Sequence, residues 1–248
     1  MVVIAVSGKG GTGKTAISAL LVKYISERGS VLAVDADPDA NLPDALGVEV
    51  ERTLGDVRER FQRSRDSLGT MDKEAWLEGL VFEVIYELDD YDLLVMGRPE
   101  GEGCYCFVNN LLRGILKRYI RHYDYVIVDC EAGLELFSRK TIESVDRLVV
   151  VTDTSRKGLK TAKKIMDLTK ELGLEFEGMY LVGNRIVGEE AKRMIKEFAK
   201  EAGFTLLELI PYDENVVRLD MLGKPIVEIP DDSPFAKRVR LIAEVLSA

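Results

Sequence analysis

A parallel, doubly wound α/β sheet with helices on both faces is the fold this sequence predicts. Three observations predict it. Seven short apolar runs recur along the 248 residues, and most are rich in Val, Ile and Leu with little polar alternation, the pattern of strands buried on both faces. Longer stretches at helical spacing separate them, and strand–helix alternation of this kind returns each strand parallel to its predecessor. The hydrophobic share of 46% supplies core for one large domain, expected to span residues 1–248.

The elements follow in order. Val2–Val6 is the first expected strand, and it stops at Ser7-Gly8-Lys9. Lys14–Arg28 follows as a helix closed by Gly29, a usual residue just past a helix end. Val31–Val34 is the second strand. The stretch from Glu51 to Arg65 is highly charged and reads as a mobile surface segment. Leu93–Met96 is the next strand, and Gly97 to Gly103, with three glycines, a proline and two acids, reads as a long loop leaving it. The second half alternates helix Val108–Tyr119, strands Tyr125–Val128 and Leu148–Thr152, helix Lys157–Leu172, strand Met179–Val182, helix Glu189–Ala202, strand Leu206–Ile210 and helix Pro234–Leu246.

Composition excludes several functions. With 34 Lys and Arg against 43 Asp and Glu the net charge is −9, which argues against sequence-independent binding of nucleic acid. Met1–Val6 is too short an apolar run for a signal peptide, and nothing approaches the about 20 residues of a membrane span. The expected compartment is the reducing cytoplasm, and three cysteines cannot pair off in any case. Phe235–Ile242 is mildly basic and amphipathic, and reads as the last helix packing on the sheet rather than as a membrane contact. His122 is the one histidine, so no multi-His metal site forms within a chain.

Gly8-Lys9-Gly10-Gly11-Thr12-Gly13-Lys14-Thr15 satisfies G-x-x-x-x-G-K-[ST] between an apolar strand and a helix. Glycines let backbone N–H groups wrap phosphate oxygens, and the following helix turns its positive end on the same anion. Lys14 reaches the β- and γ-phosphates in such a loop, and the Thr15 hydroxyl takes Mg²⁺. Lys9 is not needed for the cradle. With it the sequence resembles the deviant Walker A ATPases, the group of the MinD/ParA, arsenite-transport, nitrogenase iron-protein and metal-insertion ATPases. The resemblance implies a P-loop NTPase fold, ATP and ADP as ligands, Mg-dependent hydrolysis, and a face-to-face homodimer in which Lys9 crosses to the partner's nucleotide.

Asp35-Ala36-Asp37-Pro38-Asp39-Ala40-Asn41-Leu42 follows the second strand, where carboxylates face the ligand crevice of an open sheet. The resemblance makes Asp37 the residue that orients the attacking water and Asp35 an indirect support of Mg²⁺, while Asp39 reads as a capping or turn residue. Tyr125–Val128 followed by Asp129 is the Walker B arrangement, placing Asp129 near Mg²⁺. Gly133 is expected to give its N–H to the γ-phosphate, and Cys130 reads as a small core residue. Asn184 matches the residue that pairs with adenine in the family, with Arg185 beside it and Pro211-Tyr212-Asp213 on the other side of the base.

Cys104 and Cys106 stand one residue apart behind the glycine-rich stretch. Two thiolates are half of a tetrahedral or square-planar shell, and a second copy of the segment, expected at about 97–107, completes a Cys₄ site across a two-fold axis. Ni²⁺ and Zn²⁺ both suit such a site. The runs Gly97–Arg113, Asp129–Glu135 and Asp35–Leu42 together resemble CooC-type ATPases, accessory proteins that help load nickel into carbon monoxide dehydrogenase, although Leu136-Phe137 stands where many members carry a His. This resemblance implies a nickel enzyme as client. A positioning ATPase of the MinD/ParA kind and an iron–sulfur carrier ATPase are the alternatives.

Overall fold

The computed structural model describes residues 1–64, 79, 83–98, 106–132 and 145–248; for 58, 61–64, 106–111 and 116 it describes backbone alone. Among the described residues eight strands form one sheet: β1 Val2–Gly8, β2 Val31–Ala36, β3 Ile85–Glu87, β4 Asp92–Val95, β5 Tyr125–Cys130, β6 Arg147–Thr152, β7 Gly178–Ile186 and β8 Thr205–Pro211. Their spatial order is β3-β4-β2-β5-β1-β6-β7-β8. Every pairing is parallel except that of β3 with β4. The edge hairpin β3–β4 was not expected from sequence, because three residues carry too little pattern to separate from a loop.

Among the described residues the main α-helices are α1 Lys14–Ser26, α2 Leu42–Leu46, α3 Leu54–Ser64, α4 Cys106–Tyr119, α5 Arg156–Glu171, α6 Gly188–Ala202, α7 Glu214–Met221 and α8 Pro234–Leu246. Alternation along β1 shows how they divide. Val3 and Ala5 face one core layer with Leu112 of α4, Ile165 of α5 and Ile195 of α6, while Ile4 and Val6 face the other with Ile17 of α1, Leu42 of α2 and Val239 of α8. A strand with both faces covered has no polar side to show, which is why the sequence runs apolar through the central strands, whereas the edge strands β3 and β8 are part-exposed and carry Glu. Among the described residues no helix is long and apolar enough to cross a membrane.

Two expectations require correction. Residues 54–64 are not a mobile surface segment but helix α3, pinned by Leu54 and Val57, which are 0% and 1% exposed. Leu54 and Val57 lie three apart, on one side of the helix. The sequence also carried a start signal: Thr53 and Asp56 form a capping box, the Thr53 N–H donating to Asp56 Oδ2 at 2.7 Å. The second correction concerns the cysteine-bearing loop, since Cys106 and Phe107 already belong to α4. Apolar residues at 107, 108, 111, 112 and 115 continue the helical spacing back to that point.

Candidate functional site

β1 is the switch point of the sheet. It lies between β5 and β6: its own connection runs to β2 on the β5 side, the crossover from β5 runs to β6 on the other, and a crevice opens beyond its C-terminal end. Gly8 to Gly13 fill the crevice mouth. Gly8 has φ +146°, and a Cβ there would stand 2.2 Å from the Val151 carbonyl oxygen, so only glycine lets the loop leave β1 at that angle. Gly13 has φ +93° and ends the loop at the start of α1, whereas Cβ positions on Gly10 and Gly11 would meet open space. The Thr12 hydroxyl donates to the Lys9 carbonyl at 2.8 Å and closes the turn. Lys9 bends its ammonium back on the Gly10 carbonyl at 3.1 Å, and Lys14 is buried.

The sheet register sets Asp35 of β2 directly beside Asp129 of β5. Both are buried, and burial raises both carboxyls: Asp35 to about 8, with Asp129 adding repulsion, and Asp129 to about 6, held down by hydrogen bonds from Thr15 and Ser18 and by the Lys14 charge. Ser18 Oγ donates to Asp129 Oδ1 at 2.9 Å. Asp35 accepts the Asp37 N–H on one oxygen at 3.0 Å and the Leu42 N–H, which opens α2, on the other at 2.8 Å. Asp37 is half-buried and near enough to act electrostatically on both Asp35 and Asp129. Hydroxyl and carboxylate oxygens with little nitrogen or sulfur form a hard donor set, which fits Mg²⁺. Among the described residues no three His, Cys, Asp or Glu side chains gather as a ready-made metal cage. Mg²⁺ suits that arrangement, because it keeps several waters and takes few protein oxygens.

A cleft of about 770 Å³ runs from Gly13 and Thr15 along Asn184, Arg185, Pro211, Tyr212 and Asp213. The sequence therefore named one wall of it. The other wall was missed: Asp44 and Val48 in and after α2, and Val216 and Leu219 of α7. Two of the named residues hold the protein itself. Asn184 is buried, donates Nδ2–H to the Thr12 carbonyl at 2.8 Å and accepts the Arg185 N–H on Oδ1 at 2.9 Å. Asp213 accepts the N–H groups of Asn215 at 2.9 Å and Phe235 at 3.0 Å, and so fixes the starts of α7 and α8. Arg185 has φ +58° where the β7–β8 register shifts. Cys104 and Gly133 lie outside the described residues, and Cys106 opens α4 with its backbone alone described. Cys130 is a buried core residue, as read from sequence.

Sequence reasoning also missed Ser18. It stands four residues after Lys14 in an otherwise apolar helix stretch, so one helix turn returns it to the side of the loop, and that spacing was the available signal.

A glycine-lined anion cradle, a buried lysine and two strand-end aspartates at the switch point define a P-loop nucleotide-binding centre. The chain belongs to the CobQ/CobB/MinD/ParA nucleotide binding domain family, whose model matches residues 3–226, and it is an ATPase of that family. An uncharacterized ATP-binding protein of Methanocaldococcus jannaschii is 47% identical to it over 98% of this chain and 97% of that protein. The carbon monoxide dehydrogenase accessory protein CooC of Rhodospirillum rubrum is 34% identical over 89% of this chain and 87% of its own length. Among solved structures, the septum site-determining protein MinD of Pyrococcus horikoshii, complexed with Mg-ADP, superposes with a TM-score of 0.72 at 28% identity, covering 98% of this chain and 95% of that one.

Proposed function

We propose that this ATPase is a metallochaperone: it hydrolyses ATP as a homodimer, carries nickel on the Cys104 and Cys106 thiolates of both protomers, and serves a nickel enzyme, carbon monoxide dehydrogenase. The observation that carries this reading is the Cys104-x-Cys106 motif in a chain 34% identical to CooC over most of both lengths.

In the proposed cycle the N–H groups of Gly10 to Thr15 and the Lys14 ammonium hold the triphosphate. Thr15, with Asp129 and more indirectly Asp35, would hold Mg²⁺, which when bound neutralises phosphate charge. Asp37 orients the water that adds to the γ-phosphorus as the bond to ADP breaks. Gly133 gives its N–H to the γ-phosphate, and Lys9 swings from the Gly10 carbonyl to the partner's nucleotide. Asn184, Arg185, Pro211, Tyr212 and Asp213 line the space for the base. An amide nitrogen carries two hydrogens, so Asn184 can keep Thr12 and still donate to adenine. Hydrolysis loosens the dimer and releases the metal, because the contacts to the γ-phosphate exist in one nucleotide state only.

The test is nickel content per protomer after anaerobic equilibrium dialysis, beside the Cys104→Ser/Cys106→Ser variant. About half an equivalent, lost in the variant, is the expected result for a Cys₄ site shared by two chains. Equal uptake by both would overturn the metal role and leave a positioning ATPase of the MinD/ParA kind, to which the likeness to MinD points.

A further inference from the structure

Asp35 at the end of β2 is followed by Asp37 and Asp39 within five residues, and the Asp37 and Asp39 carboxylates this close repel one another unless something holds them apart. Backbone does part of this. Asp35 Oδ1 accepts the Asp37 N–H, Asp37 Oδ1 accepts the Asp39 N–H at 3.0 Å, and the Asp37 carbonyl accepts the Ala40 N–H at 3.0 Å. The Asp37 carboxylate is thus tethered through the backbone of Asp39. What fixes Asp39 comes from elsewhere in the fold. Its carboxylate takes the guanidinium of Arg98, a residue 59 positions away along the chain.

The placement of Arg98 follows from the end of β4. The Met96 N–H continues the ladder onto the Asp35 carbonyl at 2.9 Å, and the Met96 carbonyl accepts the N–H of Gly55 at 3.0 Å. Gly97 then turns the chain at φ +61°, with Thr53 Oγ1 where its Cβ would stand, 2.5 Å away. Only glycine makes that turn against Thr53, and the turn delivers Arg98 to Asp39. The ion pair is therefore built on a strand register and a packed turn, although both side chains are more than half exposed.

We propose that Arg98 is a positioning residue for ATP hydrolysis: by anchoring Asp39 it holds the Asp37 carboxylate in the orientation that aligns the attacking water. The inference rests on the role of Asp37 in the proposed cycle and not on any metal. Removing the guanidinium leaves the Asp39 carboxylate beside that of Asp37 without its countercharge, and repulsion then turns the tether. Nucleotide binding, made by the loop and the cleft, is left alone.

The experiment measures kcat and KM for ATP in the wild type, Arg98→Ala, Arg98→Lys, Asp39→Ala and the Arg98→Ala/Asp39→Ala pair. Asp39→Ala keeps the backbone N–H to Asp37 but removes both the anchor to Arg98 and the carboxylate that repels Asp37, so it is expected to lose less than Arg98→Ala. The expected result is a fall in kcat of about three- to fivefold for Arg98→Ala, the size an exposed ion pair can supply, with KM within about twofold and partial recovery in Arg98→Lys. In the double variant Arg98→Ala costs nothing beyond Asp39→Ala, because without the Asp39 carboxylate Arg98 has nothing to anchor or neutralise. Unchanged kcat in Arg98→Ala, or losses that add in the double variant, would overturn the proposal. Asp37→Asn separates the two readings: if it leaves turnover unchanged, the role of Asp37 falls, whatever Arg98 does.

Discussion

Replacing Asn184 by alanine is expected to loosen the phosphate loop before it affects the base. Asn184 is 3% exposed and satisfies two backbone groups, the Thr12 carbonyl and the Arg185 N–H. Leaving a buried polar group unpaired costs about 1–3 kcal/mol. The side chain also lines the cleft, so water can reach the space that alanine leaves. The lower end of the range then applies, about 1–2 kcal/mol in all. For a chain of this size that is a Tm lower by about 3–6 °C. The Thr12 backbone lies inside the cradle, so part of the binding energy of any nucleotide goes into reordering it. ATP and GTP both weaken because the loop is disturbed, ATP by up to about tenfold and GTP by less, since only ATP also loses the proposed adenine contact. The assay pairs a calorimetric unfolding scan with titration of non-hydrolysable ATP and GTP analogues in the presence of Mg²⁺. The reasoning is refuted if Tm stays within about 1 °C while ATP alone weakens, since the amide would then serve the base and not the loop.

Three further outcomes are expected. Leu54→Ala empties a fully buried position of α3 and is expected to cost about 2–5 kcal/mol, read as a lower urea midpoint at constant m-value; a surface stretch would show no shift. Burial pushes up the Asp213 carboxyl, but the N–H groups of Phe235 and Asn215 outweigh it and set the pKa below the ordinary 3.8. A lowered folded pKa stabilises above the unfolded value and loses that contribution as pH falls through the folded one. The Tm gap between wild type and Asp213→Asn is therefore expected to be full near about pH 6 and to close at pH values under 3.8. Cys130 is 2% exposed, and burial followed by the neighbouring Asp129 charge raises its thiol. Iodoacetamide at about pH 8 should spare it in the native protein and label it only after unfolding, as peptide mass mapping would show; labelling in the native state would contradict its place in the core.

The parts of the site that were legible in sequence are those whose geometry is local. Gly8 to Thr15 specify a loop between a strand and a helix within eight residues, and the turn itself requires glycine at Gly8 and Gly13. Asp129 was legible because four apolar residues before an acid place it at a strand end, whatever the neighbours are. The strand ends themselves were underestimated, since β1 continues through Ser7 to Gly8 and β2 through Asp35 to Ala36. Polar residues there stay in the ladder because the crevice gives them partners, as the Asp37 and Leu42 N–H groups do for Asp35. Helix α3 was hidden by its charge: three apolar side chains among eleven residues, Leu54, Val57 and Phe61, leave little apolar signal, and the Thr53–Asp56 capping box was the clearer start signal.

The contacts that no local pattern reveals are those the sheet order creates. β4 pairs with β2, so the residues just past its end emerge beside the segment that follows β2. Nothing in Gly97-Arg98 says so until that register is known. Asn184 is similar, since it reaches the Thr12 carbonyl only because β7 lies on β6 and β6 on β1. In both cases a residue tens or hundreds of positions away fixes an atom of the phosphate-facing segment. The same register has a consequence for the proposed cycle. The chain that leaves β4 through Arg98 runs on to Cys104 and Cys106, so the ion pair with Asp39 ties the start of the cysteine-bearing stretch to the segment of Asp37. If nickel loading draws on ATP hydrolysis, this ion pair is one physical link between the two segments. Nickel should then change kcat in the wild type and lose that effect in Arg98→Ala, while dialysis still finds the metal bound.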